Sequence, residues 1–505
     1  MGLIDFLDNL ENEAAKKSAS VGGFFEYSDR LHPSPSYKLT NFPAEVEPRE
    51  YQLAAIEAIE KFPSVIVGLK PGLGKTLIAT VAGAQLGKTL VVCPPSLIRT
   101  VWENEIRRLY PRATVQIITG TKRGNIPPAD FTVIGDAVIS ARLDDLLDAK
   151  FNTVVFDECH RYKTTKAQRT KAAMSIGDEF RNRGSKLVLL SGTISVNNAA
   201  EVYGPAKIAG IAKGVGTPTF KAWRNMWCIT QRIMVKTYDK RNRETVIPVT
   251  QIIGSKNADV LHRKLRENGY YAVNREDILD LPDKITVERI VYPSSALMAE
   301  YRKIERKFLE WLEEISDSPA DVQRALRAEK LVQMGALSQA AGIAKIPFVV
   351  EYAEQLVEEG EQVVVMAHHK EVVKELYSKF ESKGITAVTY TGDDSSSQKA
   401  NAYDRFRSGK AQVFIGNIQA AGTGLNLEVS SNIIFAQLPH SAGDFEQASD
   451  RIYRMTQTRE CTLHIPILEP TTVDAKIWKA LQKKMGTTSV INTGRLEGVI
   501  DSILG

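Results

Sequence analysis

The stretch GLKPGLGKTLIAT, Gly68 to Thr80, is the first place in the chain where residue types and spacing could do chemistry. An apolar run, Val65 to Val67, precedes it and an Ala-rich, helix-prone segment follows, so it reads as strand, glycine turn, helix. Such a turn points backbone N–H groups and a helix N-terminus at an anion. Gly72 and Gly74 supply the turn, Lys75 reaches the outer phosphates of a nucleotide, and Thr76 is placed to ligate Mg²⁺. The full phosphate-loop pattern has a glycine five residues before Gly74; here that position is Leu69, which makes this the relaxed GxGKT form. As a bare string GLGKT is also compatible with a structural turn.

A second candidate is NTVVFDECHRYK, a β-branched run that ends in Asp157 and Glu158. An aspartate at a strand's C-terminal end can hold the Mg²⁺ that bridges the outer phosphates, and an adjacent glutamate can orient and deprotonate the attacking water. Alone, Asp-Glu after a strand also fits a solvated turn; its meaning comes from sharing a sheet with the glycine loop. In the second half, QASDRIYRMTQT sets Arg451 and Arg454 three residues apart, the spacing of one helical turn, which would let both guanidinium groups face one cleft.

The elements that must position these residues are legible as patterning. From about 46 to 205, short apolar runs such as SVIVGL, TLVVCP, FTVIGD and KLVLLSG alternate with helical stretches, the signature of a doubly wound parallel sheet. A second set begins near 346 with EQVVVMA, ITAVTYT, AQVFIGN, NIIFAQ and CTLHIPI. The expected fold class is α/β, two doubly wound parallel-sheet domains with a mostly helical insertion between them, and chemistry at the strands' C-terminal ends. The expected segments are 1–45, an N-terminal extension; 46–205, the first domain; 206–345, a basic and helical insertion and linker; 346–480, the second domain; and 481–505, a tail.

Composition narrows the classes further. With 505 residues the chain can bury more than one core, and 65 Lys and Arg against 60 Asp and Glu leave a net charge of +5, a mild bias toward polyanions. The basic residues concentrate between Lys207 and Arg266, interleaved with Phe220, Trp223, Trp227 and Tyr238, a pattern that suits phosphate contact or a solvated basic surface around a small core. Four cysteines without CxxC spacing suggest neither zinc nor a disulfide framework. The N-terminus lacks the basic start and apolar core of a secretion signal, and no membrane span is read.

DECH after its strand, with LLSGT at 189–193, resembles the ATPase core of superfamily 2 helicases and translocases, over about 46 to 480. The resemblance implies two RecA-like domains, with ATP and Mg²⁺ as cofactors. In EPREYQLAAI it assigns Arg49 and Gln52 to the adenine; in LVVCPPSLIRTVWENEI it brings Pro95, Ser96 and Leu97 to a nucleic-acid backbone. QASDRIYRMTQT resembles the arginine-finger motif, which gives Arg451 and Arg454 the phosphoryl charge and Gln447 a nucleotide contact. An arginine in that role contributes roughly 10³ to 10⁵ in rate. IGNIQAAGTGLNLEVSSNIIF resembles the motif linking nucleotide state to nucleic acid, in which Ala420, Ala421, Gly422 and Gly424 would let a backbone approach; Ser191 and Thr193 of GTISVNN would couple the sites.

CPPSLIRTVWENEI, SGTISVNNAAEVYG and EQASDRIYRMTQTREC, in this order, resemble the Swi/Snf-type branch, in the style of its compact annealing-helicase members. Leu69, Lys70, Pro71, Lys399 and Thr456 depart from the branch's usual residues, and none is a catalytic group. The resemblance implies an ATP-dependent translocase on double-stranded or branched DNA, in the cytoplasm, with no membrane partner. Protein partners would use the N-terminal extension or the insertion. The alternative it leaves open is a strand-separating, branch-migrating or annealing DNA helicase.

Overall fold

The computed structural model describes residues 31–34, 43, 46–195, 197–238, 244–273, 275–278, 281–316, 327–418, 425–439, 441–454 and 456–493. By contact they form two units: unit 1 comprises 1–228, 255–279 and 489–495, and unit 2 the remainder. No helix among the described residues is long and apolar enough to cross a membrane.

Unit 1 is built on a seven-stranded sheet in the order β3-β4-β2-β5-β6-β1-β9. Its strands are β1 (Ser64–Gly68), β2 (Thr89–Cys93), β3 (Val115–Ile118), β4 (Phe131–Gly135), β5 (Thr153–Phe156), β6 (Lys186–Ser191) and β9 (Tyr270–Tyr271). Every pairing is parallel. Parallel strands need crossovers, which bury both faces, and this is why β2 and β5 read as continuous apolar runs rather than alternating ones. The helices α1 (Glu50–Lys61) and α2 (Lys75–Leu86) flank β1 in sequence. Register sets Gly68 beside Ser191 and Phe156 beside Leu189, so the loops after β1, β5 and β6 leave one edge of the sheet as neighbours.

Unit 2 carries a six-stranded parallel sheet in the order β10-β15-β14-β11-β13-β12. Here β10 is Lys284–Val291, β11 Val363–Ala367, β12 Ala387–Tyr390, β13 Val413–Asn417, β14 Asn432–Phe435 and β15 Cys461–Leu468. Around it run α3 (Ser295–Ser316), α4 (Arg327–Glu358), α5 (Ala442–Ser449) and α6 (Val473–Thr493). A buried ion pair ties several of them: Lys345 Nζ on α4 lies 3.2 Å from Asp474 Oδ2 in the first turn of α6 and donates to Pro466 O on β15. Glu305 on α3 accepts from the Val473 amide at 2.6 Å and from the Tyr301 hydroxyl.

The region from 206 to 345, which the sequence suggests as one insertion, divides between the units. Tyr270 and Tyr271 pair with β1 and so join the first sheet, and their fully buried rings pack there. Lys284 to Val291 pairs with β15 over its whole length, so the second sheet begins long before residue 346. Apolar face against apolar face joins α3 and α4 to unit 2 through Tyr301, Phe308, Leu337 and Leu468. Ahead of Tyr270 in the chain runs a two-stranded ribbon, β7 (Cys228–Tyr238) with β8 (Glu244–Ser255), which the sequence reading does not anticipate. Its described side chains Ile229, Thr230, Gln231 and Arg232 are exposed in succession, so both faces of that stretch meet solvent.

Two buried histidines, His262 in unit 1 and His464 in unit 2, are pushed down to about 4, first by burial and then by the charges of Arg266 and Arg289 respectively. The unfolded chain takes up these protons near pH 6.5 while the folded one refuses them until about 4. Stability is therefore full above pH 6.5 and falls on acidification, each histidine contributing roughly 1.4 kcal/mol per pH unit across that window. Denaturant midpoints at pH 7, 6 and 5 should drop in turn, and His464→Gln should flatten the response of unit 2; a midpoint constant over that range would contradict neutral buried histidines.

Candidate active site

The phosphate loop begins where β1 ends. Gly72 and Gly74 have φ of 88° and 78°, left-handed values that a side chain would strain. A Cβ on Gly74 would also sit 2.4 Å from Gln52 Nε2. Gly74 caps α2 without a side-chain hydrogen bond and no acidic residue occupies the first turn, which leaves the helix N-terminus a positive end. Lys75 Nζ folds over the loop and donates to Leu69 O at 2.7 Å. Leu69, standing where the full motif has glycine, is wholly buried and anchors the loop in the core.

The segment ahead of β1 packs on this loop. Arg49 caps α1 with its amide on Gln52 Oε1 at 2.9 Å. Gln52 Nε2 and the Tyr51 hydroxyl both donate to Leu73 O, at 3.3 and 3.2 Å, so Gln52 is fixed against the glycine loop while Arg49 is exposed. Thr76 is half-buried in the first turn of α2.

Asp157 and Glu158 follow β5. Burial, then the neighbouring Glu158 carboxylate, raises the Asp157 carboxyl above its usual range; the Trp102 indole N–H, Lys75 and the Glu158 amide pull against them. Trp102 Nε1 donates to Asp157 Oδ2 at 2.8 Å and the Glu158 amide to Oδ1 at 2.9 Å. Glu158 is left-handed at φ 47°, a strained value for a side-chain-bearing residue and of the kind concentrated at functional sites. Its carboxylate lies 3.2 Å from His160 Nδ1, which also contacts Ser191 Oγ at 3.1 Å. The Ser191 hydroxyl donates to Thr193 O at 2.7 Å and accepts from Thr193 N. With that hydrogen committed, Ser191 accepts from His160, so Nδ1 carries the imidazole proton and faces both partners. Glu158, His160, Ser191 and Thr193 thus form one chain of contacts along the sheet edge.

After β2, the Pro94–Leu97 turn exposes Pro95 and Ser96 on the same edge, and residues 98–103 form a π-helical turn that carries Trp102 inward. In unit 2 the arginines sit differently from a helix face. The α5 helix stops at Ser449; Arg451 lies in the turn that follows and Arg454 beyond it. Both still converge: Arg451 Nη1 and Arg454 Nη2 donate to Leu425 O at 3.4 and 2.5 Å. Gln447 is half-buried on α5. Ala420, Ala421, Gly422 and Gly424 lie outside the described residues.

Three supporting residues were not singled out by the sequence reading. Trp102 orients Asp157, and only the tryptophan in VWENEI hinted at it. Asp136, buried at the end of β4, binds Arg161 Nε at 2.7 Å and Arg169 at 3.2 Å, which pins the turn after Glu158. Gln457 Nε2 reaches the carbonyls of Glu428, Ser430 and Ile452, stapling the arginine turn to the loop leading into β14.

Glycine loop, acidic turn and serine loop on adjacent parallel strands, with a second sheet bearing an arginine turn, are the parts of a helicase-type ATPase core. Residues 45–195 match the family model described as type III restriction enzyme, res subunit, and residues 345–456 match helicase conserved C-terminal domain. Among curated relatives, SWI/SNF-related matrix-associated actin-dependent regulator of chromatin subfamily A-like protein 1 of Xenopus laevis is 26% identical over 85% of this chain. DNA annealing helicase and endonuclease ZRANB3 of Mus musculus is 26% identical over 87%. This chain spans 42% and 40% of their respective lengths. A solved structure of a single-residue variant of S. cerevisiae Dbp5, bound to RNA and ADP BeF3, shares the fold, with a TM-score of 0.50 at 14% identity, covering 91% of this chain and 94% of that one. By both family models and these relatives the chain is similar to helicase-type ATPases, SWI/SNF-related proteins among them.

Replacing Trp102 by Phe keeps an aromatic ring but leaves the buried Asp157 Oδ2 one donor short. The expected loss is about 2 kcal/mol, the scale of a hydrogen bond to a charged group. Thermal unfolding of unit 1 reports it, and an unchanged transition would remove Trp102 from this supporting role.

Proposed function

We propose that this chain is a DNA-stimulated ATPase that converts hydrolysis into movement along double-stranded or branched DNA. The observation that carries the reading is the shared edge of the first sheet, where the loops after β1, β5 and β6 bear Lys75, Asp157 with Glu158, and Ser191, and where Glu158 and Ser191 meet through His160. ATP and Mg²⁺ fit what is there. A positive helix end and a glycine turn suit phosphates, and two adjacent carboxylates, one fully buried, suit a divalent cation that relieves their repulsion.

In this reading Lys75 and the first-turn amides of α2 hold the outer phosphates, and Thr76 and Asp157 are the protein's metal ligands. Gln52 and Arg49 lie beside the loop to receive the base, with Gln447 a further nucleotide contact. Bound Mg²⁺ would supply charge neutralisation to the phosphoryl oxygens. Glu158 accepts the proton of the attacking water, and His160 holds its carboxylate in place. Arg451 and Arg454 stabilise charge on the transferring phosphoryl group. Pro95, Ser96, Gly422 and Gly424 approach the DNA backbone, and Ser191 and Thr193 carry the nucleotide state toward those contacts. Backbone contacts position without reading sequence, so sequence preference is small.

The two-stranded ribbon of β7 and β8, exposed at Ile229 to Arg232, favours a second reading, strand separation or annealing, because a two-stranded finger is the kind of element that can divide a duplex.

Steady-state hydrolysis with no nucleic acid, single-stranded DNA, duplex DNA, forked DNA and RNA discriminates, with Lys75→Ala as blank. Duplex or forked DNA should stimulate most, and Glu158→Gln should bind ATP normally while losing at least about a thousandfold in turnover. Stimulation chiefly by single strands or RNA, with unwinding of a tailed duplex, would replace the translocase by the helicase.

A further inference from the structure

The end of α6 makes a set of hydrogen bonds that the roles above do not use. Residues 489–495 count with unit 1, although the helix begins in unit 2. Asn492 is buried there, and its carboxamide meets the loop after β6 from both sides. Ile194 N and Ser195 N donate to Oδ1 at 3.1 and 2.9 Å, and Nδ2 donates to Ser195 O at 3.0 Å. Its backbone is anchored separately. The Tyr270 hydroxyl donates to Asn492 O at 2.8 Å, and His262 Nδ1 donates to Ile491 O at 2.9 Å. The His262 proton is placed by its other face, where Nε2 lies 3.3 Å from the Arg266 guanidinium and so accepts.

The loop needs such a partner. Beyond Ser191 the strand ends, and Ile194 and Ser195 are fully buried with amides that no strand or helix pairs. Buried amides left without an acceptor are costly, so the loop keeps this path only while something supplies one. A carboxamide offers acceptor and donor together, as a peptide unit does, and here it acts as an added rung of backbone pairing. The clamped residues adjoin Thr193, which Ser191 holds, which His160 contacts, which holds Glu158. Seating of the chain's C-terminal segment is therefore connected to the proposed general base through an unbroken line of contacts inside unit 1.

We propose that Asn492 is a positioning residue for the Gly192–Ser195 loop, and that ATP turnover depends on the C-terminal segment being seated on unit 1. The kinetic half of this rests on the ATPase reading; the structural half does not. Removing the side chain leaves the backbone bonds to Tyr270 and His262 intact, so the segment stays docked while the loop loses its clamp. The phosphate loop makes no bond to Asn492 among the described residues, so nucleotide affinity is spared and the rate is not.

The test uses the full chain with Asn492→Ala and Asn492→Asp; the aspartate keeps the shared acceptor and lacks the donor. Hydrogen exchange of the peptide spanning 192–195 is read first, then affinity for a non-hydrolysable ATP analogue, then kcat at saturating ATP and DNA. Asn492→Ala should exchange about tenfold faster over this loop, bind the analogue within about threefold of wild type, and lose about tenfold in kcat. Asn492→Asp should recover most of the protection and part of the rate. Unchanged exchange in Asn492→Ala, or equal losses in binding and kcat in both variants, would overturn the proposal. If Asn492→Ala does not fold, the aspartate variant decides by the same readings. A wild-type protein without hydrolysis on any nucleic acid would sink the functional reading and the kinetic half here, while exchange would still decide whether the clamp exists.

Discussion

Two adjacent carboxylates at the buried end of a parallel strand are the constraint around which unit 1 is arranged. Placing Asp157 and Glu158 after β5 sets like charges side by side, with Asp157 in a buried setting that penalises its charge. Each neighbour offsets part of that penalty: the Trp102 indole, the Lys75 ammonium, the Glu158 amide, and the imidazole of His160 against Glu158. These groups come from separate loops of the sheet. Holding them together requires strands that all end at the same edge, and only parallel pairing with crossovers provides one. A strained Glu158 backbone follows from the same demand, since its side chain must turn toward His160 while Asp157 stays buried.

Unit 2 handles buried charge by pairing. Lys345 is completely enclosed, and its cost is offset by Asp474 and the Pro466 carbonyl rather than by solvent. Asp474 also accepts from the Leu468 amide, which fixes how β15 passes into α6. The first turn of that helix is thus held by the core of unit 2, while its last residues, Asn492 among them, bond within unit 1.

The arginine turn shows why local spacing misleads about local structure. Three residues apart suggests one face of a helix, yet α5 ends before Arg451. Convergence on Leu425 O comes from the turn and from Gln457, whose amide engages three carbonyls. Likewise Tyr270 and Tyr271 read as part of a basic insertion but become a strand, because their rings find buried space beside β1 that no local pattern announces.

By itself the sequence determined what depends on neighbours in the chain. The glycine turn, the acidic pair after an apolar run, and the alternation of buried strands with helices follow from backbone freedom, side-chain chemistry and periodicity, all of them local. What only the tertiary structure decided are contacts between distant segments: Trp102 on Asp157, Asp136 on Arg161, β10 against β15, and Asn492 on a loop some three hundred residues earlier. Those depend on strand order and crossover geometry, and a hydrogen bond between remote residues leaves no periodic trace in either segment.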